Sequence, residues 1–190
     1  MPLLDDISAC AVCAAHLPLG PRPVLQAGDP RARILIVGQA PGVKAHTSGT
    51  PWDDASGRRL RDWLGVTPRD FYDPARFAIL PMAFCYPGRG KGGDLPPRPE
   101  CAPLWHRPLL ATLPDIRLTL LIGGYAQAAY LGARRKATLT ETVRAWRDYG
   151  DAWPLVHPSP RNQIWLRRNP WFEAETVPAL RARVADILSE

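Results

Sequence analysis

Long apolar runs are missing from this chain, and with them the roughly 20 consecutive apolar residues that a membrane-spanning helix requires. The opening Met1-Pro2-Leu3-Leu4-Asp5-Asp6 has neither the basic nor the apolar region of a secretory leader, so a soluble cytoplasmic protein without a membrane partner is the expectation. Internal repeats and a composition break that would mark a domain linker are also absent. With 190 residues, the chain is long enough for one substantial core and short for two, and one domain spanning 1–190 is expected, most simply as a monomer. Lysine is scarce, at Lys44, Lys91 and Lys136, and arginine carries almost all the positive charge. The 24 basic residues against 18 acidic ones leave a net charge of +6. That balance suits a polyanionic partner, but a solvated, arginine-rich surface would give the same total. Arg58, Arg89, Arg98, Arg161, Arg167 and Arg168 fall near the motifs described below.

What is present is alternation. Arg33 to Val37 is a continuous, largely β-branched run with no polar alternation, as expected of a parallel strand covered on both faces. Comparable runs lie at Phe77 to Phe84, Leu118 to Ile122 and, more weakly, Trp153 to Val156. Segments of helical spacing fall between them, at Ser56 to Leu64, Pro103 to Leu113, Tyr125 to Leu131 and Leu139 to Tyr149. A last helix is expected from Phe172 to Leu188 and a short one from Leu3 to Ala14. The Gly20 to Pro30 stretch, broken by Pro21, Pro23 and Pro30, reads as a connector. The pattern predicts an α/β protein, a three-layer α/β/α sandwich around a four-stranded parallel sheet. Ligands of such sheets bind at the carboxyl ends of the strands.

Two loops begin where predicted strands end. Gly38-Gln39-Ala40-Pro41-Gly42 follows the first strand and His157-Pro158-Ser159-Pro160-Arg161-Asn162 follows the last. Four cysteines accompany them, Cys10 and Cys13 with two residues between, then Cys85 and Cys101 with fifteen between. Close thiols in a reducing compartment suit a metal site, while spacing alone equally allows unrelated core cysteines. Taken together, the two loops and the cysteine pattern resemble the uracil-DNA glycosylase superfamily and, within it, the iron-sulfur branch. The likeness runs from Cys10 to the last helix.

That resemblance implies an α/β/α glycosylase fold and hydrolysis of the N-glycosidic bond of deoxyuridine in uracil-containing DNA. Uracil would be released and an abasic site left. No lysine is placed for a Schiff base, so strand cleavage is not expected. The resemblance also implies a [4Fe-4S] cluster on Cys10, Cys13, Cys85 and Cys101, with zinc as the alternative, since four thiolates suit both. Such a group would fix the ends of the Tyr86 to Pro99 arm, which has few large apolar side chains of its own. Breaking the glycosidic bond builds negative charge on the base O2, and His157 is the expected donor there. The first loop, with Gly38, Ala40, Pro41 and Gly42, would approach base and sugar closely. Trp52 would stack on the uracil face, unless it is simply core.

Relatives often carry an acid in the first loop to handle the attacking water, whereas this chain has Gln39 and then Ala40. Gln39 can orient water without taking its proton, so Asp53 is the expected water residue and Asp54 a substrate contact, the alternative being that one of them merely caps the following helix. Relatives of the iron-sulfur type place Asn four residues before the third cysteine, and Pro81 stands there. Base reading would then fall to backbone groups around Met82 to Phe84, with Phe84 counted among the substrate contacts. Ser159, Pro160, Arg161 and Asn162 would enter the DNA groove, with Arg161 filling the space left by the extruded nucleotide; an ordinary solvated turn is the alternative. Two rivals remain on the same fold: a uracil-DNA binder or covalent trap, and a glycosylase for deaminated purines such as hypoxanthine or xanthine.

Overall fold

The β-branched run after the connector forms β1 (Ile34–Val37), with all four side chains buried. In the structure, a computed structural model that describes residues 2–189, three further strands join β1 in one parallel sheet. They are β2 (Phe77–Ile79), β5 (Leu118–Ile122) and β6 (Ala152–Leu155), in the order β2-β1-β5-β6. Ile34 pairs with Phe77 on one side and Leu118 on the other, and Ile122 pairs with Leu155. A separate two-stranded hairpin, β3 (Arg89–Gly90) and β4 (Gly93–Asp94), lies within the arm between Cys85 and Cys101.

Nine α-helices are assigned among the described residues. They are α1 (Pro2–Ser8), α2 (Val43–Ser48), α3 (Ala55–Leu64), α4 (Pro68–Phe71), α5 (Cys101–Leu110), α6 (Gly124–Leu131), α7 (Leu139–Arg144), α8 (Gln163–Arg168) and α9 (Val177–Ser189). Strand alternation decides which of them meet. Ile34 and Ile36 point to a face covered by α3, α8 and α9 through Leu60, Trp63, Leu166, Leu180 and Val184. Leu35 and Val37 point to the opposite face, covered by α1, α5 and α6 through Ile7, Leu109, Ala126 and Leu131. This is the expected three-layer sandwich, and each large aliphatic side chain buried in it contributes about 1.5–3 kcal/mol.

Several boundaries differ from expectation for identifiable reasons. The Phe77 to Phe84 run is a strand only to Ile79. Beyond it the chain stays bonded to β1 and the first loop, Leu80 N–H to Ile36 and Met82 N–H to Gly38, while Pro81 faces the flank where Ile79 bonds Gln26 and offers no N–H there. The first helix ends at Ser8; turns and irregular chain take the place of its expected second half, and a 3-10 turn follows at Ala14–His16. The helix expected from Pro103 to Leu113 starts at Cys101 and ends at Leu110. That expected from Leu139 to Tyr149 is α7 followed by a 3-10 turn at Trp146–Tyr149. A π-helical stretch at Phe172–Thr176 precedes α9.

Candidate active site

Because the strands run parallel, the loops after β1 and β6 emerge at the same end of the sheet. They border one cavity of about 280 Å³. Gly38, Gln39, Ala40, Pro41 and Gly42 form one wall and His157, Ser159 and Arg161 another. Trp52, Asp54 and Ser56 close it from the start of α3. Pro81 and Asp94 complete it.

His157 is fixed at both ends. Asn162 Nδ2 donates to its carbonyl at 2.7 Å. The Ser159 backbone N–H donates to Nδ1 at 3.1 Å. Because an N–H can only donate, Nδ1 must be the unprotonated nitrogen, and the imidazole proton sits on Nε2. Burial holds the His157 pKa below its ordinary value, with Asp54 pulling weakly in the other direction. The ring is therefore a neutral Nε2–H donor at neutral pH.

Trp52 packs against that ring with centroids 5.4 Å apart. It is the only non-glycine residue with positive φ among the described residues, at 58°, a conformation that costs of order 1–3 kcal/mol and needs its surroundings to hold it. Two glycines provide the room. A Cβ on Gly38 would stand 3.0 Å from Trp52 Cζ2, and one on Gly57 would collide with the Trp52 carbonyl. Asp54 then turns inward as the cap of α3, Oδ1 accepting from Gly57 N–H at 2.8 Å.

That same turn leaves Asp53 exposed and outside the cavity wall, so the carboxylate bordering the site is its neighbour. Phe84 is also displaced from its expected role. It is 1% exposed and stacks on His106 at 5.8 Å, in the core and away from the cavity. Nor do the backbone donors around it remain for a base. Met82 N–H bonds Gly38, Ala83 N–H bonds Gln39 and Phe84 N–H bonds Cys101 Sγ.

Position 81 is held from behind. His106 Nε2 lies 3.0 Å from the Pro81 carbonyl and Nδ1 lies 2.8 Å from Tyr130 Oη. A carbonyl can only accept, so Nε2 carries the proton and the Tyr130 hydroxyl donates to Nδ1. Burial lowers the His106 pKa and pushes that of Tyr130 up to about 12.

The arm closes over the two loops. Gln39 Nε2 donates to the Leu95 carbonyl at 3.0 Å, and Arg161 Nη1 donates to the Gly92 carbonyl at 2.9 Å. Asp94, which the sequence did not single out, stands between these contacts. Ser56, 7% exposed, was likewise not foreseen; its place after the Asp54 cap is the only signal that could have found it. Pro160 and Arg161 are exposed, Pro160 opening a 3-10 turn, while the Ser159 hydroxyl accepts from Arg161 N–H at 3.2 Å.

Cys10, Cys13, Cys85 and Cys101 border a second cavity, lying between α1, α5 and the roots of the arm. Burial raises the thiols of Cys13, Cys85 and Cys101, the last to about 12. No three His, Cys, Asp or Glu side chains among the described residues close on a single metal ion. Arg98 is occupied here, paired with Glu100 beside Cys13, and is not among the arginines free to meet phosphate.

No helix is long and apolar enough to cross a membrane. A family model described as the uracil DNA glycosylase superfamily matches residues 25–181. That stretch contains both loops, all four strands of the main sheet and every lining residue of the cavity except Val24. The chain belongs to the uracil DNA glycosylase superfamily.

Proposed function

We propose that this DNA glycosylase excises uracil from DNA as a monofunctional enzyme. The observation that carries the reading is His157, a neutral Nε2–H donor locked beside Trp52 at the mouth of a base-sized cavity. Trp52 stacks on the extruded base, and the His157 Nε2–H stabilises the negative charge that gathers on O2 as the bond to the sugar breaks. A neutral donor suffices, since the leaving anion needs a hydrogen bond and not a full proton. The loop from Gly38 to Gly42 lies along the sugar, its glycines leaving room for close approach. Asp54, next to His157, adds negative charge where the sugar becomes cationic. Arg161 is the side chain that fills the gap in the duplex, with Ser159, Pro160 and Asn162 shaping the loop that carries it.

A [4Fe-4S] cluster on Cys10, Cys13, Cys85 and Cys101 is part of the proposal. The four thiols border one cavity, and a soft four-thiolate donor set of this kind suits such a cluster, with zinc as the alternative. The cluster would be structural, tying both ends of the arm to the N-terminal segment. The residues themselves hold the arm at its far end through Gln39 and Arg161.

The test is incubation with oligonucleotides containing uracil, hypoxanthine or xanthine, followed by hot alkali. Free uracil and a cleavable abasic product support the reading. A complex that survives denaturation would mean covalent trapping, and release of purines alone would mean a different substrate. Iron and acid-labile sulfide, assayed on protein purified without oxygen, test the cluster.

A further inference from the structure

The loop where a glycosylase needs a carboxylate has none, yet the cavity contains one beside it. Asp94 lies at the end of β4, and its Oδ2 is 3.5 Å from where a Cβ on Gly42 would stand. No hydrogen bond or ion pair occupies that carboxylate among the described residues, whereas Asp54 is already committed to capping α3. Its place is fixed by neighbours on both sides. Gln39 grips the Leu95 carbonyl and Arg161 grips the Gly92 carbonyl, so the first loop holds the arm residue next to Asp94.

Resting on the uracil-excision reading above, we propose that Asp94 is the base that takes the proton of the attacking water, and that Gln39 is the positioning residue that keeps it there. In that step the C1′–N1 electron pair leaves with uracil, and a lone pair of the water oxygen forms the new bond to C1′. The water proton passes to the Asp94 carboxylate and from there to solvent. Gln39 thus serves catalysis through the arm, and the acid missing at position 40 is supplied from a different part of the chain.

Asp94 is exposed to solvent at the cavity rim, and the partial loss of water around its carboxylate raises its pKa above the usual carboxylate value. Arg161 and Arg89 oppose that rise, and Asp54 reinforces it. Uracil release should accordingly increase with pH as this carboxylate ionises.

Single-turnover uracil release, measured across pH for wild type, Asp94→Asn and Gln39→Ala, tests the proposal. Binding to an uncleavable 2′-fluoro-deoxyuridine oligonucleotide is measured alongside. Asp94→Asn is expected to slow release by about a hundredfold or more, to abolish its acidic limb and to leave binding unchanged. Gln39→Ala should lose less and keep the limb. Wild-type rates in Asp94→Asn, a loss accounted for by weaker binding, or a loss that falls on Asp53→Asn instead would each overturn the assignment. A wild-type protein that releases no uracil would overturn the excision reading itself, a result distinct from all of these.

Discussion

At the residue scale, the site depends on one strained backbone and one fixed tautomer. On the proposed reading His157→Ala removes the O2 donor, and the rate of release should fall by about 10²–10³-fold, as for loss of a single oxyanion donor. A single-turnover assay checks this. Gly57→Ala places a methyl against the Trp52 carbonyl, so the left-handed turn must reopen. A loss of about 2 kcal/mol or more is expected in urea denaturation, at the upper end of ordinary point mutations, together with impaired excision. His157 and Trp52 were legible in the sequence because each stands in a short motif with its own chemistry. Asp94 was not, because nothing local marks it: it reaches the cavity only through the path of the arm. The sequence does not distinguish Asp53 from Asp54, because the positive φ at Trp52 decides which carboxylate faces inward.

At the scale of elements, the arm is the least self-sufficient part. Its hairpin has two residues per strand, far below what is stable alone, and its stability is borrowed from its roots and from the two loops. Replacing Cys85 or Cys101 by Ser should therefore hasten proteolytic cutting between residues 86 and 100 while the sheet stays resistant, as limited proteolysis with mass mapping would reveal. The four short apolar runs announced the sheet because burial on both faces leaves only one kind of residue there. The short elements, α2, α4 and the hairpin, left no comparable trace: a helix of four to six residues has too few turns for periodicity to accumulate. Pro81 marks the point where composition misled: the run up to Phe84 is apolar throughout, but past the proline its N–H groups bond the first loop and Cys101 Sγ, not a neighbouring strand.

At the scale of the whole molecule, three histidines held wholly or partly out of water set the response to acid. Burial is the main cause of the lowered pKa of His46, His106 and His157, with Arg22 adding to it at His46. The folded protein holds them neutral, while the unfolded chain takes up protons near pH 6.5. Their contribution is fully present above that pH and is lost as pH falls below it, so the urea midpoint should be steady above about pH 7 and decline toward pH 5. Net charge acts on binding instead. Affinity for DNA should fall linearly with the logarithm of salt concentration, with a slope reporting the number of phosphates met, and Arg161→Ala should make that slope shallower in a fluorescence titration. The layered architecture was readable from the order of runs alone, whereas the meeting of the two loops followed from strand direction, which no single motif contains.

The flanks of the sheet carry a last consequence. Along β6, the carbonyls of Asp151 and Leu155 accept from β5, so alternation turns Pro154 outward, where it offers no N–H. On the opposite flank Gln26 exchanges both its backbone hydrogen bonds with Ile79. A foreign strand seeking to lengthen this sheet would find a missing donor at one border and an engaged residue at the other, which guards the chain against edge-to-edge aggregation.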